Sequence, residues 1–175
     1  MFSNKFTLKV IVAFTIIIAL TSCSDDEVAV TSSTHSQDTK SQSIVLDVYK
    51  SPTCGCCKKW IDHINENGFE SKVHSYQNFS VIKDTKGIEP QYRSCHTAIS
   101  KDGYAFEGHV PAKFIQQFIK EQHAEDVIGL SVPAMPVGSP GMEVDDKFQP
   151  YNVLLLKSDG TYQIYASVQA YEEQF

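Results

Sequence analysis

The sequence lacks several features that would point to common functional classes. It has no excess of basic residues, since 21 Asp and Glu outnumber 15 Lys and Arg, and it contains no basic patch. Because nucleic-acid binding depends on such patches to neutralise phosphates, we expect no nucleic acid as a partner. The longest apolar run, residues 10–20, is shorter than the about 20 residues that a membrane span needs. No internal repeat occurs, and 175 residues are enough for one folded core.

The N-terminus has the pattern of an export signal. Lys5 and Lys9 precede the apolar run, which ends in Leu-Thr-Ser directly before Cys23. This placement of Cys23 resembles a bacterial lipobox, in which the cysteine is lipidated; the alternative is an ordinary signal peptide with an incidental cysteine. We predict a signal peptide over residues 1–22, a lipid anchor on Cys23 and a polar, disordered tether up to residue 43. The position resembles Gram-negative lipoprotein sorting signals, in which Asp after the lipidated cysteine favours the inner membrane; Ser24 therefore predicts anchoring in the outer membrane, on the periplasmic side. Removing residues 1–22 changes the net charge from -6 to -8.

Residues 44–175 are predicted to form one α/β domain. A β-rich run at residues 44–50 leads into the cysteines, and the apolar positions that follow indicate a helix that stops at Gly68. Pro111 opens a later helix. The other predicted elements are strands at 71–77, 95–100 and 103–109, a short helix at 79–86 and a hairpin over 151–168. A cysteine motif between the first strand and the first helix is the thioredoxin-like arrangement, with a mixed sheet and flanking helices.

Three cysteines in four positions carry the strongest chemical signal. Cys54, Cys56 and Cys57 fall at the expected start of the first helix, where unpaired backbone N–H groups and the helix dipole favour thiolate. The spacing of Cys54 and Cys57 is that of a redox dithiol, whereas the third sulfur, from Cys56, favours a metal site. Soft thiolates select Cu(I), and imidazole accepts copper in either oxidation state.

Other soft donors lie further along the chain. Cys95 and His96 are adjacent, and we predict that both are ligands. His109 precedes the helix at Pro111, where a metal-binding role competes with simple helix capping. The Pro- and Gly-rich stretch at residues 132–143 is predicted to form an ordered loop over the site, whose Met135 and Met142 are either ligands or packing residues. His63, two turns past Cys56, either overhangs the site or lies in solvent.

Four separated motifs resemble the CopG-type copper-resistance family. They are YKSPTCGCCKKWIDHI, SCHTA, GYAFEGHVPA and VPAMPVGSPGME, in the same order as in the family, and they span the folded part of the chain. The resemblance implies a periplasmic thioredoxin-like domain whose Cys-x-Cys-Cys turn binds several copper ions, as Cu(I) with Cu(II) also accessible, with a role in copper redox conversion. The ligands that it implies are Cys54, Cys56, Cys57, Cys95, His96, His109 and Met142.

Two other functions stay open at this point. One is a thiol–disulfide oxidoreductase that uses Cys54 and Cys57, and the other is a structural zinc site made from these two with Cys95 and His96. The partners that we expect are copper ions, and beyond them other periplasmic copper-handling proteins or an electron donor or acceptor. One departure from the family is Ala134, where the family has glycine. If that position requires a positive φ, alanine costs roughly 1 kcal/mol there.

Overall fold

The computed structural model describes residues 43–175. The predicted signal peptide, the lipidation of Cys23 and nearly all of the predicted tether therefore lie outside the described residues. The strands of the described part are β1 (Ile44–Lys50), β2 (Phe69–Ser75), β3 (His96–Ser100), β4 (Ala105–Gly108), β5 (Val127–Val132), β6 (Tyr151–Lys157) and β7 (Tyr162–Val168). The α-helices are α1 (Gly55–Glu66), α2 (Ser80–Thr85) and α3 (Ala112–Lys120), and short 3₁₀ turns lie at Pro90–Tyr92 and Tyr171–Gln174.

All seven strands form one mixed sheet in the order β2-β1-β3-β4-β5-β6-β7. The first four strands, with α1 between the parallel pair β1 and β2 and with α3 after β4, make the thioredoxin-like arrangement that the sequence predicts. Strand β5 is parallel to β4, and the predicted C-terminal hairpin, β6 and β7, extends the sheet beyond it. The α/β, thioredoxin-like fold class is confirmed.

The core lies on both faces of this sheet. On one face, Trp60 and Ile64 of α1 and Phe118 of α3 pack against the strands, and each of these side chains is fully buried. On the other face, a smaller cluster around Ile88 and Leu156 is covered by the segment that includes α2. Within residues 43–175, no helix is both long and apolar enough to cross a bilayer.

The start of α3 is tied to the middle and the last turn of α1 by two hydrogen bonds. The indole N–H of Trp60 donates to the carbonyl oxygen of Val110 over 2.9 Å. The backbone N–H of Ala112, the first residue of α3, donates to Nε2 of His63 over 3.1 Å. Because the first N–H groups of a helix have no partner within the helix, His63 satisfies one that would otherwise be unpaired. These bonds hold the start of α3, and the residues just before it, against α1.

Candidate metal site

The cysteine turn is built by the end of β1 and the first turn of α1. Cys54 is the N-cap of α1, and its sulfur accepts the backbone N–H of Cys57 over 3.3 Å. Cys56 is half-buried on the first turn, whereas Cys57 faces the core and has no exposed surface. The sequence prediction of a strand, a cysteine turn and a helix is confirmed.

The second cysteine segment reaches this turn through strand pairing. Strand β3 runs antiparallel to β1, with His96 opposite Lys50, so Cys95 lies beside the residues that open the cysteine turn. Its Sγ lies 3.8 Å from Cys56 Sγ. Its carbonyl oxygen lies 3.5 Å from Cys57 Sγ. Two distant stretches of chain thus bring their sulfur atoms into one pocket, as the sequence analysis predicted.

The third segment, at the end of β4, supplies His109. Thr97 pairs with Glu107 between β3 and β4, which places His109 across from Cys95, just past the paired residues. Cys95 Sγ lies 3.2 Å from Nε2 of His109 and 3.3 Å from Nδ1 of His96. This approach depends on Gly108, because it has a φ of +73° and a Cβ there would lie only 2.6 Å from Cβ of Ser94.

His109 is oriented by the loop over the site. Its Nδ1 lies 2.7 Å from the carbonyl oxygen of Pro140, and only a protonated nitrogen can donate to a carbonyl. The proton is therefore assigned to Nδ1, and the lone pair of Nε2 faces Cys95. A histidine whose other nitrogen donates to a backbone carbonyl is the arrangement that metal-binding imidazoles adopt.

The loop lies directly on the first turn of α1. Gly141 has a φ of +87°, and a Cβ at this position would lie 2.7 Å from the carbonyl oxygen of Cys56. Any residue with a Cβ at position 141 would push the loop, and with it the Pro140 carbonyl, away from the site. The prediction of an ordered loop over the cysteines is confirmed.

The donor atoms form two groups that share one sulfur. Cys54, Cys56, Cys57 and Cys95 make a group of four sulfurs, and Cys95, His96 and His109 make a group of one sulfur and two imidazoles. Within each group all donor atoms lie within 4.8 Å of one another. We refer to them as the sulfur group and the imidazole group.

The structure describes an oxidised form of the sulfur group. Cys54 and Cys57 are joined by a disulfide, whereas Cys56 and Cys95 are free thiols. Cys56 Sγ lies 3.5 Å from Cys54 Sγ, in contact with the disulfide. All four sulfurs therefore remain adjacent in this form, and reduction of one bond would return all of them to the group.

Burial dominates the electrostatics of the imidazole group. It raises the pKa of the Cys95 thiol to about 12, with a further contribution from the neighbouring Cys56. It also lowers the pKa of His109, and that of His96 well below its usual value. Both imidazoles are thus neutral at pH 7, which is the form that binds metals. Cys95 must lose its proton to a metal that binds it.

His96 shows a further property expected of a ligand. Its ring is fully buried between Trp60, at a centroid distance of 4.3 Å, and His109, at 5.0 Å. Its Nδ1 lies beside the Cys95 thiol, whereas its Nε2 has no hydrogen-bond partner among the described residues. A buried polar atom without a partner is costly, and here it belongs to the ring that contacts Cys95. Soft sulfur and neutral imidazole together fit copper.

Behind Cys95 lies a buried charged network that the sequence analysis missed. Glu107 has no exposed surface, and it accepts hydrogen bonds from Lys83, from the hydroxyl of Thr97 over 2.6 Å and from the backbone N–H of Ser94 over 2.6 Å. These contacts fix the residues on either side of Cys95 and His96. The one available signal for Glu107 was that it is an acidic residue inside the otherwise apolar strand β4. Lys83 lies in the short, polar helix α2, whose sequence gave no sign that this side chain would be buried.

The remaining candidates do not all converge. His63 is occupied by the N–H of Ala112, so its role here is structural. Met135 is 48% exposed and lines a surface groove with Tyr162 and Ile164 of β7, away from the cysteine turn. Met142 is half-buried in the loop, and its ligation remains a prediction. Ala134 has a φ of +59°, so the strained backbone that the family's glycine would relieve is present.

Fold and site together define a thioredoxin-like α/β protein with a cysteine- and histidine-rich site able to hold metal. Two solved structures resemble it, both named as copper resistance protein CopG. Form 2 is 39% identical, with a TM-score of 0.66, and the match covers 72% of this chain and 98% of that chain. Form 1 is 38% identical, with a TM-score of 0.67, and the match covers 73% and 99%.

The sequence profile of a family described as "Protein of unknown function, DUF411" matches residues 92–142, which include Cys95, His96, His109 and Met142. No curated protein sequence gives a significant match. At this identity and coverage, the chain belongs to the CopG-type copper-resistance family.

Proposed function

We propose that this protein binds several copper ions as its cargo, held by the reduced sulfur group and the imidazole group together. Family membership and a cluster of cysteines able to hold metal already support a copper-related, metal-binding role. The observation that carries the finer proposal is the sharing of Cys95, because a thiolate common to two donor groups can bridge metal ions. The ligands that we assign are Cys54, Cys56, Cys57, Cys95, His96 and His109.

The two groups differ in the copper oxidation state that they favour. Four thiolates are soft ligands and select Cu(I), whereas imidazoles accept Cu(I) and Cu(II). A site with both kinds of ligand suits a protein that meets copper in both states, which is the basis for proposing a part in copper redox conversion. Copper-handling proteins and an electron donor or acceptor are the partners that such a role would require.

Copper titration of the fully reduced protein, followed by native mass spectrometry, tests the proposal. We expect at least two bound Cu(I) ions, and fewer than two would contradict it. Cys56→Ser should lower the stoichiometry through the sulfur group alone and His109→Ala through the imidazole group alone. Cys95→Ser should lower it most, because it weakens both. His74→Gln is the matched control, since His74 is a partly exposed histidine paired with Asp47 at 2.8 Å.

A thiol–disulfide oxidoreductase is the second candidate, and the Cys54–Cys57 disulfide is the observation that favours it. Insulin reduction with metal-free protein separates the two functions. Strong turnover that a copper chelator does not change would favour the oxidoreductase. The zinc alternative is less well supported, because His96 groups with Cys95 and His109 rather than with Cys54 and Cys57.

We also infer export and lipid anchoring from the N-terminal sequence, with the mature protein in the periplasm on the outer membrane. Replacing Cys23 with Ala should abolish the incorporation of labelled palmitate into the protein. Equal labelling of the variant and the wild type, or no labelling of the wild type, would contradict the lipid anchor, and recovery of the wild type in the cytoplasm would contradict export.

A further inference from the structure

We propose that the Cys54–Cys57 disulfide gates the sulfur group, and that a dithiol protein opens this gate by attacking Cys54 Sγ from an adjacent surface groove. The inference rests on the proposed copper function and adds its regulation and a partner. A disulfide withdraws two of the four sulfurs as thiolate ligands, since thiolate is the metal-binding form. The imidazole group contains neither of them and stays intact.

The disulfide is accessible from one side only. Cys57 has no exposed surface, and its sulfur packs 3.5 Å from the carbonyl oxygen of Cys95. Cys54 is half-buried and lines a groove of about 400 Å³ that is open to solvent. An external thiolate can therefore reach Cys54 Sγ and leave Cys57 as the departing sulfur.

The groove has the properties of a site for an extended peptide. Its apolar lining includes Pro52, Ile61 and Val73, of which Val73 is 46% exposed. Val73 belongs to β2, which lies at one edge of the sheet formed by residues 43–175. The edge of a sheet offers unpaired backbone groups to an incoming strand. Exposed Lys58 at the rim favours the approach of a thiolate.

The proposed reaction is balanced by the partner's two thiols. The first partner sulfur, as thiolate, bonds to Cys54 Sγ while the Cys54–Cys57 bond breaks, and Cys57 leaves as thiolate and takes up a proton. The second partner thiol, after losing its proton, attacks the partner's first sulfur and releases Cys54. One disulfide and two thiols become two thiols and one disulfide, so two electrons enter the protein. The N–H of Cys57, 3.3 Å from Cys54 Sγ, stabilises the departing Cys54 thiolate.

The site of attack can be trapped directly. Full-length oxidised protein is mixed with thioredoxin whose resolving cysteine is replaced by Ser, and the mixed disulfide is identified by peptide mapping. We expect it on Cys54, and a mixed disulfide on Cys56 or Cys57 would overturn the proposal. Cys56 is 3.5 Å from Cys54 and could mediate an internal exchange. The mapped position of the mixed disulfide therefore decides between direct attack on Cys54 and prior exchange through Cys56.

The groove is tested by Val73→Glu, with Val81→Glu as the matched control, because Val81 is 64% exposed on α2, away from the groove. Disulfide loss is followed by quenched alkylation and mass spectrometry, with reduced thioredoxin or tris(2-carboxyethyl)phosphine as the reductant. Val73→Glu should slow thioredoxin at least tenfold and the phosphine less than twofold. Unchanged thioredoxin rates, equal slowing by both reductants, or the same slowing in Val81→Glu would overturn docking in the groove.

Copper stoichiometry separates the gate from the proposed function. The oxidised protein should bind at least one Cu(I) ion fewer than the phosphine-reduced protein, and alkylation should show that the disulfide persists during the titration. Equal stoichiometries would overturn the gate and leave the copper function standing. A reduced protein that binds fewer than two ions would instead overturn the copper function.

Discussion

The buried ion pair behind the site allows a quantitative prediction. Lys83 is 5% exposed and Glu107 is not exposed, and the two are in direct contact. Lys83 also donates to Thr97 Oγ1 over 2.9 Å, and Thr97 donates in turn to Glu107. Burial raises the pKa of Glu107 and lowers that of Lys83, and the contact between the two groups opposes both shifts. Each charge is therefore tolerated because the other is present.

Replacing Glu107 with Ala should destabilise the domain severely. The change leaves a buried ammonium without its counter-ion, a loss that typically costs about 3–5 kcal/mol. It also leaves the Ser94 N–H and the Thr97 hydroxyl without their acceptor. For a domain of this size that cost corresponds to a fall in Tm of roughly 10–20 °C. The double variant Lys83→Met/Glu107→Gln removes both charges and keeps an acceptor for Ser94, so it should be more stable than Glu107→Ala.

Urea and thermal unfolding of the reduced, metal-free protein, followed by circular dichroism, measure these effects. Asp84→Ala is the matched control on the same helix, because its ion pair with Arg93 is exposed at the carboxylate and should contribute at most about 1 kcal/mol. A cost below about 1 kcal/mol for Glu107→Ala would refute the reasoning. So would a double variant no more stable than Glu107→Ala, since the two charges would then not depend on each other.

Three further predictions concern the loop and the helix contact. Ala134→Gly should stabilise the protein by about 1 kcal/mol in chemical unfolding, since φ is +59° there. Ala112→Gly in α3 should destabilise it. Changes in unfolding free energy of the same sign in both variants would contradict this. Gly141→Ala should force the loop off α1 and lower both stability and copper affinity, as measured by unfolding and by competition with a Cu(I) chelator; wild-type values would refute the close contact. His63→Ala should cost about 1 kcal/mol at pH 7.5 through the lost hydrogen bond, without changing copper stoichiometry. Burial lowers the pKa of His63 below its usual 6.5, so its contribution is complete above that pH and is lost as the pH falls through the folded-state pKa. The free energy of unfolding should therefore change less between pH 5 and pH 8 for the variant than for the wild type. The same pH dependence in both proteins would contradict this assignment.

Local sequence signals predicted most of the fold. The proline before α3 and the turn residues between β6 and β7 are local signals, each a few residues long. The bounds predicted for α3 and for this hairpin therefore lie near the observed ones. Strand β5 was missed. Both of its partners are distant in sequence: Gly129 pairs with Ala105 of β4, and Leu130 pairs with Leu155 of β6. Sequence periodicity does not record such pairing.

The site was predicted where side chains carry the chemistry and missed where the backbone does. Cys95, His96 and His109 are recognisable as donors from their types alone, and the structure brings them together. The contribution of Pro140 is a carbonyl oxygen, which every residue possesses, so no residue type indicates it. The loop was predicted to lie over the site with its methionines as either ligands or packing residues; the contribution that its backbone makes is the orientation of His109.

In the proposed function, the position of Cys95 lets one site serve two redox states. Glu107 and Ala134 accept hydrogen bonds from the backbone and the side chain of Ser94, and Cys95 directly precedes β3, a strand that is paired on both sides. Cys54, in contrast, lies in the solvent-facing turn before α1. The imidazole group contains neither cysteine of the disulfide, so it keeps all three of its donors while the sulfur group gains or loses two.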